Sequence, residues 1–256
     1  MKMNKKFCVL IPCAGNGVRL NIPFPKELLP IFYGVTLIDN CFELLKDFKD
    51  KIRIVIIFSV NKMETIRYLS KYKDEFDIVF KYQNEYEKEM IGAIFSARNL
   101  FLEYNLVLFP DTIIQHRNKI KLIRTTLNYL ISNKMVFWVK KESNIDILRN
   151  EGAVKLEYYN TDFVVKKYVD KPENNLIGLN GFWSAFAFSL NVSENCLMTM
   201  GRIINKDQEL NFENSILMNS PAIELDHSID MGIWKAISNY VGSKEYEKSI
   251  NNYVNL

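Results

Sequence analysis

Across residues 7–139, short apolar runs alternate with segments of helical spacing. The runs are 7–13, 52–59, 78–82, 106–109 and 135–139. Between them lie residues 36–48 (Leu37, Cys41, Leu44 and Leu45 on one stripe), 62–72, 90–102 (Ile91, Ile94, Phe95 and Leu102) and 120–131. Runs this short and continuously apolar are buried on both faces, and helices between them make right-handed crossovers between parallel strands. The pattern shifts near residue 150. Residues 153–159 and 163–169 alternate like an antiparallel hairpin, and 181–189 form an aromatic-rich strand. A helix is expected over 208–218, a short strand over 222–225 and a last helix over 231–240, with 249–256 a polar tail, loose or an oligomer contact. The expected fold is α/β: a Rossmann-like three-layer sandwich with a mostly parallel central sheet and a small antiparallel subregion.

Composition narrows the partners. At 48% hydrophobic and 25% charged, the 256-residue chain can bury a core and is not disordered. A net charge of +3 without a long basic run does not point to nucleic acid. Cys8, Cys13, Cys41 and Cys196 show no CxxC spacing, which suits a reducing, cytoplasmic compartment. The basic start is followed by an apolar run broken at Pro12, Gly15 and Gly17, so it is not read as a signal peptide. No stretch approaches the roughly 20 apolar residues of a membrane span.

Chemistry concentrates where the first run ends. Cys13-Ala14-Gly15-Asn16-Gly17-Val18-Arg19-Leu20 is followed by Pro25-Lys26-Glu27-Leu28-Leu29-Pro30. Glycines let backbone N–H groups approach a phosphate, and Arg19 and Lys26 can neutralise it. A dinucleotide fingerprint needs a third glycine where Leu20 stands, and a P-loop needs Gly-Lys-Ser/Thr, which is absent. Asp111 just past a strand can hold a hard cation or serve as a cap or turn residue. Asp230 can do either too, and Asp226 competes with it. His116 and His227 are isolated. Phe182, Trp183, Phe186 and Phe188 read as core.

The segment from Gly15 to Pro30 resembles the signature of the nucleotidyltransferases that make nucleotide sugars and related activated metabolites. The Lys-Glu-Leu-Leu-Pro ending is most similar to glucose-1-phosphate uridylyl- and thymidylyltransferases. The short gap between Arg19 and Lys26 is closer to the compact cytidylyltransferases, among them phosphoglutamine cytidylyltransferases of capsule gene clusters. The resemblance implies transfer of a nucleoside monophosphate from an NTP to a phosphorylated small molecule, with Mg²⁺ and release of pyrophosphate. It implies catalytic roles for Arg19, Lys26 and Lys171, and metal ligation by Asp111 and Asp230. It implies nucleotide contacts from Cys13, Ala14, Gly15, Asn16, Gly17, Val18, Gln83, Glu89 and Gly92. Glu89-Met90-Ile91-Gly92-Ala93 stands where that family has Gly-Leu-Gly-His-Ala, a departure in the base pocket. Asp170-Lys171-Pro172 resembles the family's Glu-Lys-Pro, and Asp170, Asn180 and Gly181 are the implied acceptor contacts.

The implied organisation is a single domain, 1–256, with an NTP-binding half (1–150) and an acceptor-binding half (151–256). The shorter Asp170 and the compact loop tilt the expectation to CTP, with UTP or dTTP and a hexose 1-phosphate as the alternative. The implied setting is surface-polysaccharide synthesis, and a homodimer is possible within the family's habits. A non-catalytic NTP-binding subunit and a Rossmann oxidoreductase are the readings from other classes.

Overall fold

A computed structural model describes residues 5–15, 17, 19–32, 34–60, 62–83, 89–132, 135–160, 162–173, 176–207 and 212–243. Its first half is strand and helix by turns: β1 (Phe7–Pro12), β2 (Pro30–Phe32), β3 (Val35–Thr36), α1 (Asp39–Leu45), β4 (Ile52–Phe58), α2 (Met63–Leu69), β5 (Asp77–Tyr82), α3 (Glu89–Ser96), β6 (Tyr104–Leu108), β7 (Thr112–Gln115), α4 (Lys119–Ser132), β8 (Met135–Lys141) and α5 (Ile145–Leu148). The rest comprises β9 (Gly152–Tyr159), β10 (Asp162–Asp170), β11 (Gly181–Ser189), α6 (Ser193–Ile204), β12 (Pro221–Glu224), β13 (His227–Asp230) and α7 (Trp234–Val241).

Nine strands form one sheet in the order β5-β4-β1-β6-β11-β8-β12-β10-β9. The first four are mutually parallel, as apolar runs joined by helices require. Beyond them the sheet is mixed rather than mostly parallel. β11 runs antiparallel to both β6 and β8, and β10 runs antiparallel to β12 and β9. The antiparallel strands therefore continue the main sheet instead of standing beside it. One apolar cluster on the sheet draws in Phe42 of α1, Leu69 of α2 and Leu122 of α4. The cluster on the other face draws in Ile94 of α3 and Leu197 and Met200 of α6. Phe186 and Phe188 of β11 are fully buried, as the sequence predicts.

Several local features depart from the sequence reading, α5 and the β2–β3 pair among them. Of the helix expected over 208–218, residues 208–211 lie outside the described residues. The remainder is a single turn at Phe212–Asn214 followed by further turns. α6 was not anticipated, although Cys196, Leu197, Met200 and Ile203 recur at helical spacing and all are buried. The small ribbon of β7 and β13 was not anticipated either. The tail 249–256 lies outside the described residues. No helix among the described residues is long and apolar enough to cross a membrane. All four cysteines are buried, and none forms a disulfide among the described residues.

Candidate active site

The glycine loop leaves the sheet where β1 ends. Cys13, itself buried, donates its N–H to the Ile57 carbonyl at 2.7 Å, and Ser59 Oγ reaches the Ala14 carbonyl at 3.2 Å. Gly17 has φ +63°, and a Cβ there would lie 3.3 Å from Lys26 Cβ, so the loop folds over the lysine stem. Asn16 and Val18 lie outside the described residues. Leu20 is buried, and its carbonyl accepts from Trp234 Nε1 at 2.9 Å, which pins the loop's far end to α7.

Lys26 opens a short turn whose next residue, Glu27, is completely buried. The Glu27 carboxylate accepts from Lys62 Nζ at 3.0 Å and Thr65 Oγ1 at 2.7 Å. A buried ion pair is stable only when its hydrogen bonds are completed, and here Thr65 completes them. The network ties the lysine-bearing turn to α2.

Lys26 Nζ forms a short ion pair with Asp111 Oδ2. Burial works against the ammonium, but Asp111 outweighs it, with help from Asp230, and holds the Lys26 pKa above its ordinary value. Asp111 follows β6, and its carbonyl accepts from Met231 N at 2.8 Å. That bond sets the end of β13 beside it. Asp230, paired with Thr112, accepts from Gly232 N at 2.7 Å and stands 3.7 Å from Arg19 Nη2. Burial and the Asp111 charge raise its pKa. The same ribbon carries Asp226 at its other end, where the carboxylate accepts from Arg117 N. Asp230 is thus the carboxylate brought to Asp111.

From the other side come β9, β10 and β11. Lys171 follows β10 with φ +43°, and its N–H donates to the Glu151 carbonyl at 3.0 Å. A non-glycine residue in this backbone region costs on the order of 1–3 kcal/mol. Asp170 has its pKa raised by burial, partly offset by Lys171, and accepts from the Tyr168 hydroxyl at 3.4 Å. Glu151 was missed by sequence reading. Burial, reinforced by Asp230 and Asp111, pushes its carboxyl up to about 8.

Arg19, Asp111, Asp230, Glu151, Asp170 and Lys171 all line one cleft of about 240 Å³, with Phe109, Phe182 and Trp183 among its walls. Phe182 and Trp183 therefore face the cleft as well as the core. Trp183 lies so close over Gly152 that a Cβ there would fall 2.1 Å from its indole nitrogen. Only glycine fits beneath that ring.

Several implied residues are placed elsewhere. Asn180 spends its side chain on β9, accepting from Leu156 N at 2.7 Å and donating to Leu156 O at 2.9 Å. A Cβ on Gly181 would meet the Lys140 carbonyl at 2.8 Å. Both fix the start of β11, and neither lines the cleft. Gln83 continues past β5, its N–H bonded to the Phe58 carbonyl at 2.8 Å. Glu89 begins α3 with φ +64°, and Gly92 sits one turn later. Of that segment Met90 reaches the cleft. His116 and His227 stay outside it, at the far part of the β7–β13 ribbon.

The chemistry of the donors suits one hard cation. Asp111 and Asp230 offer two carboxylates, and among the described residues no group of three His, Cys, Asp or Glu side chains could hold a metal ion. Two protein carboxylates completed by substrate phosphates is the usual arrangement for Mg²⁺.

No protein-family model matches the chain. No curated protein matches it either. Solved structures do. A UDP-glucose pyrophosphorylase complexed with UDP-glucose superposes with a TM-score of 0.69 at 18% identity, over 96% of this chain and 100% of that one. A Bacillus anthracis protein assigned as a glucose-1-phosphate thymidylyltransferase gives 0.69 at 14% identity, over 94% and 99%. A UTP-bound UGPase from Acinetobacter baumannii gives 0.67 at 15% identity, over 98% and 99%. The chain thus has the fold of these sugar-nucleotide enzymes along nearly its whole length.

Proposed function

We propose that the protein is a nucleotidyltransferase that moves a nucleoside monophosphate from an NTP to a phosphorylated small molecule and releases pyrophosphate. The observation that carries this is convergence: Arg19 and Lys26 meet Asp111 and Asp230 at a cleft whose opposite wall presents Lys171. The acceptor phosphate is already an anionic nucleophile, so the protein supplies position and charge. One phosphate oxygen attacks the α-phosphorus in line, and the bond to the pyrophosphate oxygen breaks. Gly15 and Gly17 bring the loop backbone close to the triphosphate. Arg19 and Lys26 neutralise the charge that builds on the leaving group. Lys171 orients the acceptor phosphate. Asp111 and Asp230 would hold Mg²⁺, which when bound stabilises charge on the phosphate oxygens.

UTP or dTTP with a hexose 1-phosphate is the substrate pair favoured by the fold relatives, one of which carries UDP-glucose and another UTP. The short spacing from Arg19 to Lys26 supports CTP as a second reading. A product of either kind is an activated building block of the sort that surface-glycan assembly consumes. Pyrophosphate release with Mg²⁺, with CTP, UTP, dTTP, ATP and GTP crossed against glucose 1-phosphate, glycerol 3-phosphate and phosphocholine, is the test. One productive pair names both substrates, while NTP binding without release favours a binding subunit. Lys26→Ala and Asp111→Ala should each lower turnover about 10²–10³-fold. Full activity in either variant overturns the assignment.

A further inference from the structure

The large sheet ends in β5 on one side and β9 on the other. An end strand presents a row of unpaired main-chain groups, and proteins blunt such edges with proline, bulges or a cover. β9 is blunted. Its Ala153 and Val154 pair with β11, and the Asn180 side chain takes both the N–H and the carbonyl of Leu156. β5 has no such device among the described residues. Its strand, Asp77-Ile78-Val79-Phe80-Lys81-Tyr82, holds unbroken parallel register with β4 and contains no proline. The Gln83 N–H points at the Phe58 carbonyl of β4, so by alternation the main-chain groups of Ile78, Phe80 and Tyr82 point away from the sheet. The side chains of these three share one face with Phe58, whose ring meets those of Phe80 and Tyr82 edge-on at 6.4 and 5.7 Å. Phe80 and Tyr82 are 38% and 41% exposed, and Val60 and Met63, where β4 leads into α2, are exposed as well.

We propose that β5 is the contact through which two copies of this chain pair, antiparallel about a two-fold axis at Val79, so that one sheet runs through both. An axis there sets Ile78 opposite the partner's Phe80, and the outward main-chain groups of each exchange hydrogen bonds. It sets Asp77 opposite the partner's Lys81, and the two-fold repeats both pairings. Asp77 holds Lys5 and Arg53 at 3.3 and 3.2 Å, both through Oδ2, which keeps Oδ1 for a further cation. Lys81 makes no ion pair among the described residues. An axis at Phe80 would set Lys81 against Val79, and one at Ile78 would set Asp77 against Val79. Neither pairs the charges. A lysine on an edge strand ordinarily deters pairing, and here the two-fold supplies it with a carboxylate.

Sedimentation equilibrium of the whole chain at micromolar concentration should give twice the 30.0 kDa chain mass. Lys81→Asp sets like charges opposite one another and should weaken the dimer roughly tenfold. Phe80→Pro removes an outward N–H without touching the bonds to β4, and should leave a monomer with unchanged far-ultraviolet circular dichroism. Lys81→Asp leaves the main chain alone and decides the matter if the proline variant unfolds. Val79→Cys places a thiol beside its own copy at the axis, where non-hydrogen-bonded neighbours stand about 4.5 Å apart between Cα atoms, so mild oxidation should link the two chains. Lys81→Cys, away from the axis, should not link, and the buried native cysteines give little background. A monomer throughout overturns the proposal. So does a dimer that Lys81→Asp leaves intact, or one in which Lys81→Cys links as readily as Val79→Cys.

Discussion

At the residue scale, the legible part of the site was the part whose chemistry demands fixed spacing along the chain. Gly15, Gly17, Arg19 and Lys26 lie within a dozen residues, and the proposed phosphate loop rests on that spacing. Glu151 does not share that spacing, because only the tertiary fold brings it to the cleft. Glu151 gives a pH signature. Its carboxyl is raised to about 8 in the fold from an ordinary 4.5, so between those values the folded state holds more protons than the unfolded one. Stability therefore falls as pH rises through that window and levels off above it. Melting curves from pH 5 to 8.5 should show this slope, and Glu151→Gln should flatten it. Glu89 offers the opposite kind of change. It holds φ +64° at an exposed position, so Glu89→Gly should raise stability by about 1 kcal/mol in chemical denaturation. Gly152→Ala should displace Trp183 and cut turnover at least tenfold, with a shifted tryptophan emission as the physical marker.

At the scale of elements, long periodic segments were read correctly and short or polar ones were not. β7 and β13 are four residues each, too short for alternation to show, yet their pairing is what delivers Asp230 to Asp111. α6 escaped although Cys196, Leu197, Met200 and Ile203 keep helical spacing, because Gly201 falls on the same stripe and disfavours a helix. Gly201 lies against Ile91 of α3, where a Cβ would sit 3.6 Å from its Cγ2, an ordinary contact, so packing there does not demand a glycine. The turn that bears Lys26 owes its position to the Glu27–Lys62–Thr65 network. Glu27→Ala leaves a buried ammonium unmatched and should cost about 3–5 kcal/mol in urea unfolding. Glu27→Leu combined with Lys62→Met should recover most of that stability. It should not recover turnover if the turn itself has shifted.

At the scale of the molecule, the strand order could not be read from local pattern. Alternation announced the parallel quartet β5-β4-β1-β6, but nothing local says that β11 enters between β6 and β8. Strands from the two sides of residue 150 consequently interleave in one sheet. A fragment of residues 1–150 leaves β6 and β8 without the partner between them, and should show no cooperative thermal transition by circular dichroism. The same insertion governs the order of events during synthesis. When β8 has emerged from the ribosome, the place of β11 between β6 and β8 is still empty, and it stays so until residues 181–189 have been translated. Through that interval the nascent chain presents two apolar strand edges to its surroundings, the state most prone to mispairing. β11, made in the third quarter of the polypeptide, is therefore the keystone between four strands from the first half and four from the second, and translation speed beyond residue 141 becomes a determinant of yield.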